Sequence, residues 1–443
     1  MSQETYDVAI IGGGVTGTAL LYLLAKYSSV QRVVLLEQYD GIAQVSSHHT
    51  QNSQTLHFGD IETNYSLEKA KAVKSAAEMV VRYVESLPDG KGIFVRQQKM
   101  VIAVGKKECD ELRKRFQEFR TVFPELQLVE REELARREPA VMEGRDPGEE
   151  IVALATDRGY SVSFSAIAES FVRDAILQKN IQIDVVHNAR VQRIVRQGKD
   201  FVLQAEGLSF VARTAVVAAG AHSLSFAHDM GEGKDLSLIP VAGLFYTAQN
   251  RLRGKVYTVQ HPKLPFAAIH GDPDVLDATM MRFGPIAKAL PLLEIRKWRT
   301  VGNFLKVFPL SIDTLRSVIA INADAIIRRF IFRNFWYDLP WIGPVLFVRE
   351  ARKIIPKIQP ADLHFGSSLG GIRPQVVNIR THSMQLGEAK IVGDRILYNI
   401  TPSPGASVCL ANALSDARLV TGWLNVPLDE GAIERDLGLI TVK

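Results

Sequence analysis

The stretch AAIHGDPDVLDATMMRFGP, residues 267–285, places one histidine between a short apolar run and a Gly-Asp-Pro turn. Histidine is the side chain most easily poised to take up a proton near neutral pH. A lone histidine is more often a hydrogen-bonded residue at a strand end, and no neighbouring residue decides between these roles. His270 is therefore a candidate base or a structural residue, and the rest of the chain must supply the context.

A more specific pattern lies near the N-terminus, where Gly12, Gly14 and Gly17 form G-x-G-x-x-G. The three glycines would permit, in order, a tight turn, close approach of the backbone to a pyrophosphate, and close packing of a helix on a strand. Glu37 would accept hydrogen bonds from an adenosine ribose. DVAII and RVVLLE have the composition of buried strands, and TALLYLLAKY between them has helical spacing. The segment therefore predicts a βαβ unit that binds a dinucleotide at a helix N-terminus.

Two later segments favour FAD over NAD. Residues 210–223, FVARTAVVAAGAHS, have the pattern of a strand that returns to the same sheet and leads to Gly220. Residues 396–424 follow as a strand, a loop and a helix, and the loop Ser403-Pro404-Gly405-Ala406 could direct backbone N–H groups at a flavin ring. A nucleotide site assembled from both ends and the middle of the chain suits a flavoprotein, since nicotinamide enzymes usually bind their cofactor within one contiguous domain.

Composition bounds the class of protein. The 443 residues are 47% hydrophobic and 23% charged, the balance of a soluble globular chain of two or three structural units. A net charge of +5 indicates a mild preference for anionic substrates or surfaces, and we expect no nucleic-acid partner. Two cysteines far apart, Cys109 and Cys409, give neither a disulfide framework nor zinc spacing. No apolar run reaches the ~20 residues that span a bilayer.

The order of elements predicts an α/β fold with interleaved domains. We expect a Rossmann-like FAD-binding domain and an α+β substrate domain built on a mixed or antiparallel sheet. The FAD-binding parts are expected at residues 1–75, 151–235 and 381–443, and the substrate parts at 76–150 and 236–380. Within the last part, residues 326–355 combine aromatic and aliphatic side chains with several arginines. That segment is either an ordinary helix pair or a surface that meets anionic lipid headgroups.

Five segments together resemble malate:quinone oxidoreductases, which are FAD enzymes of the D-amino-acid-oxidase-like fold group. These are the N-terminal fingerprint, SSHHTQNSQTLHFGDIETNY, IHGDPD with RFGP, GGIRPQ, and TPSPGAS, in the expected order over essentially the full chain. The match is to a divergent branch, because the more widespread branch has Pro-His-Leu-Asp-Thr-Arg in place of IHGDPD and Asn-Asn-Ala-Gly-Thr-Gly-His in place of NSQTLH. His57 and His270 are matched despite these departures.

The resemblance implies oxidation of (S)-malate to oxaloacetate, with electrons passed through FAD to a membrane quinone. It makes His270 the expected base, oriented by Asp272 unless that residue caps the turn. Malate carries two carboxylates, so arginine is suited to bind it. We expect Arg373 and Gln375 to bind a carboxylate, and Arg282 either to bind a second one or to make a structural ion pair.

The resemblance also assigns residues to the cofactor. Ser46 and Ser47 are expected at the ribose or pyrophosphate, and the run Asn52, Ser53, Gln54 and Thr55 near the isoalloxazine, with His57 a weaker active-site candidate. No metal is expected, because flavin chemistry requires none. The implied location is cytoplasmic, with peripheral attachment to the cytoplasmic face of the inner membrane, in which case residues 326–355 could be the attached surface.

Rival functions stay open on the sequence alone. Another flavin enzyme of the same fold, such as a 2-hydroxyglutarate dehydrogenase or a secondary-amine oxidase, would share the cofactor site, since function depends on the substrate site rather than the fold. A non-catalytic flavin-binding protein would hold FAD that no substrate reduces.

Overall fold

A computed structural model describes residues 5–261, 264, 268–308, 314, 316, 319, 323–385, 389–401 and 405–438. In this part of the chain the strands form one sheet of eight and one of nine. The strands of the two sheets alternate in blocks along the sequence, which confirms the predicted interleaved α/β fold.

The first sheet carries the nucleotide fingerprint. Its strands are β1 (Thr5–Ile11), β2 (Arg32–Leu36), β6 (Gln182–Val186), β7 (Val191–Gln197), β8 (Asp200–Ala205), β9 (Leu208–Val217), β16 (Ala389–Gly393) and β17 (Ile396–Ile400). The order is β16-β17-β9-β1-β2-β6, and β7 and β8 pair beside β9. β1 is parallel to both β2 and β9, and β17 is parallel to β9. Three distant parts of the chain thus share one parallel core, as the apolar runs predict.

The second sheet carries most of the candidate substrate residues. Its strands are β3 (Phe94–Val104), β4 (Gln127–Glu130), β5 (Ile151–Val162), β10 (Leu236–Gln249), β11 (Lys255–Thr258), β12 (His270–Pro273), β13 (Met280–Ala289), β14 (His364–Asn378) and β15 (Ser383–Gln385). The order is β15-β14-β10-β13-β12-β11-β3-β5-β4. The pairing is antiparallel except between β3 and β11, so the sheet is mixed, as expected.

Helices cover both sheets. They are α1 (Val15–Tyr27), α2 (Leu67–Ser86), α3 (Lys106–Phe119), α4 (Arg131–Arg137), α5 (Pro139–Met142), α6 (Phe164–Ile176), α7 (Ser223–Asp229), α8 (Val301–Val307), α9 (Ala325–Phe335), α10 (Ile342–Ala351), α11 (Cys409–Leu424) and α12 (Glu430–Leu437). α1 packs against α6 and α11, and nearly all its residues are buried. A helix buried on every side must be apolar on every side, which explains the sequence TALLYLLAKY.

Sheet pairing and helix bounds bear on three of the expected domain boundaries. An FAD-binding part is expected to begin at residue 151, whereas β5 pairs with β3 in the second sheet. Both kinds of buried strand have similar apolar patterns, so sequence cannot distinguish them. The boundary between residues 75 and 76 falls inside α2, and the one between 380 and 381 precedes β15, which pairs with β14 in the second sheet. We propose that these boundaries lie after residues 86, 162 and 385.

Candidate active site

A cavity of about 460 Å³ is lined by residues of both sheets. Gly12, Gly14 and Glu37 of the fingerprint segment line it, and so do His57 and Arg373. Its volume is in the usual range for a small-molecule or cofactor site. The predicted nucleotide residues and part of the predicted substrate residues therefore meet in one space.

The fingerprint glycines are required by their surroundings. Gly12 has φ of +110°, and a Cβ there would lie 2.5 Å from the carbonyl oxygen of Ala218. A Cβ on Gly17 would lie 2.1 Å from the carbonyl oxygen of Gly12, so only glycine allows α1 to pack this close to β1. Gly17 makes this close contact outside the cavity lining, whereas Gly14 and Val15 line the cavity. The N-terminus of α1, with its N–H groups and positive dipole end, therefore borders the cavity and fits a pyrophosphate.

Glu37 follows β2 directly and is almost fully buried at the cavity wall. Its Oε2 accepts the Gly13 N–H at 2.7 Å, and its Oε1 accepts the Tyr39 N–H at 3.0 Å. Burial raises the pKa of Glu37, and these backbone N–H groups oppose that shift. Each oxygen can accept a second hydrogen bond, so the carboxylate fits a ribose diol.

The loop of residues 46–55 is held by its own side chains. Ser47 Oγ accepts the Val15 N–H at 3.0 Å, and Asn52 Nδ2 donates to the carbonyl oxygen of Ser46 at 3.2 Å. Ser46, Ser47, Asn52, Ser53 and Thr55 line the cavity.

Gln54 does not line the cavity, contrary to expectation. Its Oε1 accepts the Val275 N–H at 2.9 Å, and its Nε2 faces the Asp274 carboxylate at 3.4 Å. Gln54 therefore joins the loop to the segment that follows β12.

Three other predicted cofactor residues, Gly220, Gly405 and Ala406, line the cavity. Ser403 and Pro404 lie outside the described residues. Ser407 was not predicted. Its hydroxyl accepts the His57 N–H at 3.0 Å, so it fixes the backbone of that histidine at the cavity wall.

Arg373, on β14, is a cation of the cavity wall. Among the described residues no carboxylate forms an ion pair with it. Burial lowers its pKa to about 10, so the guanidinium stays charged at neutral pH. Gly243 on β10 makes room for it, since a Cβ there would lie 2.4 Å from Nη1 of Arg373. A buried guanidinium without an acidic partner fits a carboxylate ligand.

Gln375 and Arg282 are not brought to the cavity wall. Gln375 lies two residues after Arg373 and so on the same face of β14, but it is buried outside the cavity lining. Arg282 Nη1 donates to the carbonyl oxygens of His49 at 2.7 Å and Asn52 at 3.0 Å, and Nη2 pairs with Asp274. Arg282 thus makes an ion pair with Asp274 and holds the loop through two carbonyl oxygens, which is one of the two roles expected for it.

The register between β11 and β12 assembles a buried cluster around His270. Tyr257 pairs with His270 and Val256 with Gly271, so Lys255 comes opposite Asp272. Nδ1 of His270 lies 2.5 Å from Oδ2 of Asp272, and Nζ of Lys255 lies 3.1 Å from Oδ1. The three side chains are at most 2% exposed. One buried carboxylate thus orients the imidazole and balances the ammonium.

Burial and charge act in opposite directions on this cluster. Burial lowers the pKa of His270, and Asp272 opposes the shift. Although burial raises the pKa of Asp272, the charges of His270 and Lys255 hold it at about 2. Asp272 is therefore ionised at neutral pH, and His270 is biased toward the neutral form that can accept a proton.

Tyr257 connects His270 with the cavity wall. Its ring stacks on His270 at 4.5 Å between centroids, and its hydroxyl lies 2.8 Å from Oγ1 of Thr55, a cavity residue. Burial raises the pKa of Tyr257 well above its ordinary value, so the hydroxyl stays protonated. His270 and Asp272 are not themselves part of the cavity lining described here. They lie one layer behind it, against Tyr257.

His57 forms a second histidine–carboxylate pair, and this one lines the cavity. Its Nδ1 lies 2.6 Å from Oε1 of Glu62, and the two side chains are 13% and 8% exposed. Its ring meets that of Tyr257 edge-on at 6.4 Å. Sequence reasoning identified the histidine but missed Glu62, Tyr257 and Lys255. Only the alternation in KVYT, which places Lys255 and Tyr257 on one face of a strand, could have paired the last two.

Comparison with known proteins places residues 7–287 in a family described as FAD dependent oxidoreductase. A probable malate:quinone oxidoreductase of Campylobacter jejuni is 40% identical over 99% of this chain and 100% of its own length. A malate:quinone oxidoreductase of Helicobacter pylori is 38% identical over 99% of this chain and 98% of its own length. The chain belongs to the malate:quinone oxidoreductase family.

Membership of the malate:quinone oxidoreductase family confirms the resemblance seen in the sequence, and FAD is the cofactor. Solved structures agree on the fold. An L-α-glycerophosphate oxidase from Mycoplasma pneumoniae with FAD bound has a TM-score of 0.67 at 17% identity, covering 96% of each chain. A glycine oxidase from Geobacillus kaustophilus has a TM-score of 0.64 at 20% identity, covering 94% of this chain and 95% of its own.

Proposed function

We propose that this chain oxidises (S)-malate to oxaloacetate and passes the electrons to a membrane quinone. Family membership supports the reaction, and one observation supports the site. A guanidinium without an acidic partner among the described residues, Arg373, and a carboxylate-held histidine, His57, line the same cavity as the fingerprint loop. A second such histidine, His270, lies behind Tyr257.

Arg373 binds one carboxylate of malate in this proposal. A planar guanidinium donates two parallel hydrogen bonds to a carboxylate, which fixes the orientation of the substrate as well as its position. Orientation matters because a bound, aligned substrate avoids much of the entropic barrier of a two-molecule reaction.

His270 is the final acceptor of the C2 hydroxyl proton in this proposal, and the proton must pass Tyr257 to reach it, since His270 lies one layer behind the cavity wall. Asp272 faces Nδ1 at 2.5 Å, which leaves Nε2 as the basic atom. Malate thereby loses the hydroxyl proton and its C2 hydrogen, and C2 becomes the ketone carbon of oxaloacetate. Bound FAD supplies the acceptor for that hydrogen and its two electrons, and the electrons then go to quinone.

We propose further that the chain attaches peripherally to the cytoplasmic face of the inner membrane. None of the helices in the described residues is long and apolar enough to cross a bilayer. The short helices α9 and α10 and the residues that connect them expose aromatic side chains. Trp341 is 90% exposed and Phe332 is 66% exposed. Exposed aromatic residues beside Arg329 are suited to the boundary between headgroups and acyl chains of anionic lipids.

The reaction is tested by measuring reduction of a soluble quinone analogue by the purified FAD-loaded protein with (S)-malate, 2-hydroxyglutarate or sarcosine. We expect quinone reduction with malate alone. Activity only with 2-hydroxyglutarate, or peroxide formation from sarcosine, would move the substrate to a rival enzyme class. A flavin that none of the three reduces would favour the non-catalytic alternative.

A further inference from the structure

A second carboxylate of a ligand bound at Arg373 would need a hydrogen-bond donor of its own. Lys255 pairs with Asp272 and Arg282 with Asp274, and neither lines the cavity. His57 does line it, and its ring lies beside Tyr257, the residue that also interacts with Arg373.

Lys99 is also occupied. It lies beside Lys255 in the β3–β11 register and is fully buried, and its Nζ is 2.7 Å from Oδ1 of Asp60. Its charge is therefore balanced inside the second sheet, and it does not line the cavity.

Glu62 makes His57 different from an ordinary cavity histidine. Although burial raises the pKa of Glu62, the contact with His57 lowers it to about 2, so the carboxylate is ionised. A buried carboxylate 2.6 Å from Nδ1 fixes the orientation of the imidazole, because a buried anion requires a donor beside it. With Nδ1 occupied by Glu62, only Nε2 can donate to a ligand.

The positions of the other cations lead to the same residue. Asp60 balances Lys99 and Asp272 balances Lys255, and neither lysine lines the cavity. His57 does line it, with Nδ1 held by Glu62, so Nε2 is the ring atom that can face a second carboxylate.

We propose that His57, held by Glu62, binds the second carboxylate of the substrate and thereby selects dicarboxylates over monocarboxylates. This inference rests on the proposed function, since it assumes that the cavity holds the substrate at Arg373. It gives the two histidines separate tasks. His270 receives a proton from behind Tyr257, and His57 donates a hydrogen bond from the cavity wall.

The test uses ligands that cannot react. Succinate has both carboxylates of malate but no hydroxyl, and butyrate has one carboxylate on the same four-carbon chain. Their affinities for the FAD-loaded wild type, His57→Asn and Glu62→Gln are measured by calorimetry at constant pH. A charge-assisted hydrogen bond is worth ~10–100-fold in affinity. We expect His57→Asn to weaken succinate by about that factor and butyrate by less than about threefold, with Glu62→Gln weakening succinate in the same direction.

His187→Asn, at an exposed histidine outside the cavity lining, serves as the matched control, and it should leave succinate affinity near wild type. Unchanged succinate affinity in His57→Asn would overturn the inference. Equal weakening of succinate and butyrate would also overturn it, since it would show a general effect on the cavity wall. Failure of the proposed function would appear separately, as wild-type protein that binds succinate but is not reduced by malate.

Discussion

Asp272 lies 2.5 Å from Nδ1 of His270, two residues away on the same face of one short strand. Alternation along β12 places both side chains on this face, and the other oxygen of Asp272 faces Lys255 across the β11 register at 3.1 Å. A histidine oriented by a buried carboxylate is suited to proton transfer from its other ring nitrogen. This pair is the basis of the first two predictions.

Replacing His270 with Asn should lower the malate-dependent rate of flavin reduction by ~10²–10⁴-fold, the usual contribution of a general base. FAD should remain bound, because His270 lies outside the cavity lining. Stopped-flow absorbance measures the rate, and the flavin-to-protein ratio measures cofactor content. The control is His187→Asn, because His187 is exposed and follows β6, the edge strand of the first sheet. A near-normal rate in His270→Asn would return this residue to a structural role.

The pH profile of kcat/KM should show an acid limb that reports the protonation of His270. His270 must be neutral to accept a proton, so activity is lost as pH falls through its pKa. Burial lowers that pKa and Asp272 opposes the shift, so the acid limb should lie below the ordinary histidine value.

Asp272→Asn removes the opposing charge, so it should move the limb to still lower pH and reduce the plateau rate. Lys255→Met should move it the other way, because the Lys255 charge also lowers the pKa of His270. Identical profiles in all three proteins would contradict the assignment of the limb to His270.

Arg373→Lys should raise KM for malate by ~10–100-fold, because an ammonium keeps the charge but loses the two parallel hydrogen bonds of the guanidinium. Steady-state kinetics measure this effect. Arg329→Lys, at an exposed position on α9, is the matched control and should leave KM unchanged. A normal KM in Arg373→Lys would place the carboxylate elsewhere.

Membrane attachment should depend on the exposed aromatic residues of α9, α10 and their connection. Replacing both Phe332 and Trp341 with Ser should weaken binding to vesicles containing anionic lipid by ~10-fold or more, since each large apolar side chain contributes ~1.5–3 kcal/mol when buried. Vesicle co-sedimentation measures the binding. Leu177→Ser, at a residue 69% exposed on another helix end, is the control. Equal binding by the double variant and wild type would exclude this surface.

Much of the nucleotide half could be predicted from sequence because its signals are local. The fingerprint glycines, the apolar strand on each side and Glu37 fall within the first forty residues. Their roles follow from backbone geometry that neighbouring residues determine, such as the close approach of Gly17 to Gly12. Cavity positions for Gly12, Gly14 and Glu37 follow from the same local pattern.

The substrate half depends on register between strands that are far apart in sequence. Nothing near Lys255 indicates that it will lie opposite Asp272, and nothing near Arg373 indicates that Gly243 will leave room for it. Arg282 has the same local appearance as Arg373, yet Asp274 and the loop carbonyls occupy its donors. Side chains of one type thus acquire different roles from long-range pairing, which sequence periodicity does not report.

The most direct test of the proposed reaction is the visible spectrum of the FAD-loaded protein under anaerobic conditions before and after (S)-malate. We expect loss of the oxidised flavin band with malate and its return when a soluble quinone is added. A flavin band that malate leaves unchanged, in protein that carries a full complement of FAD, would contradict it.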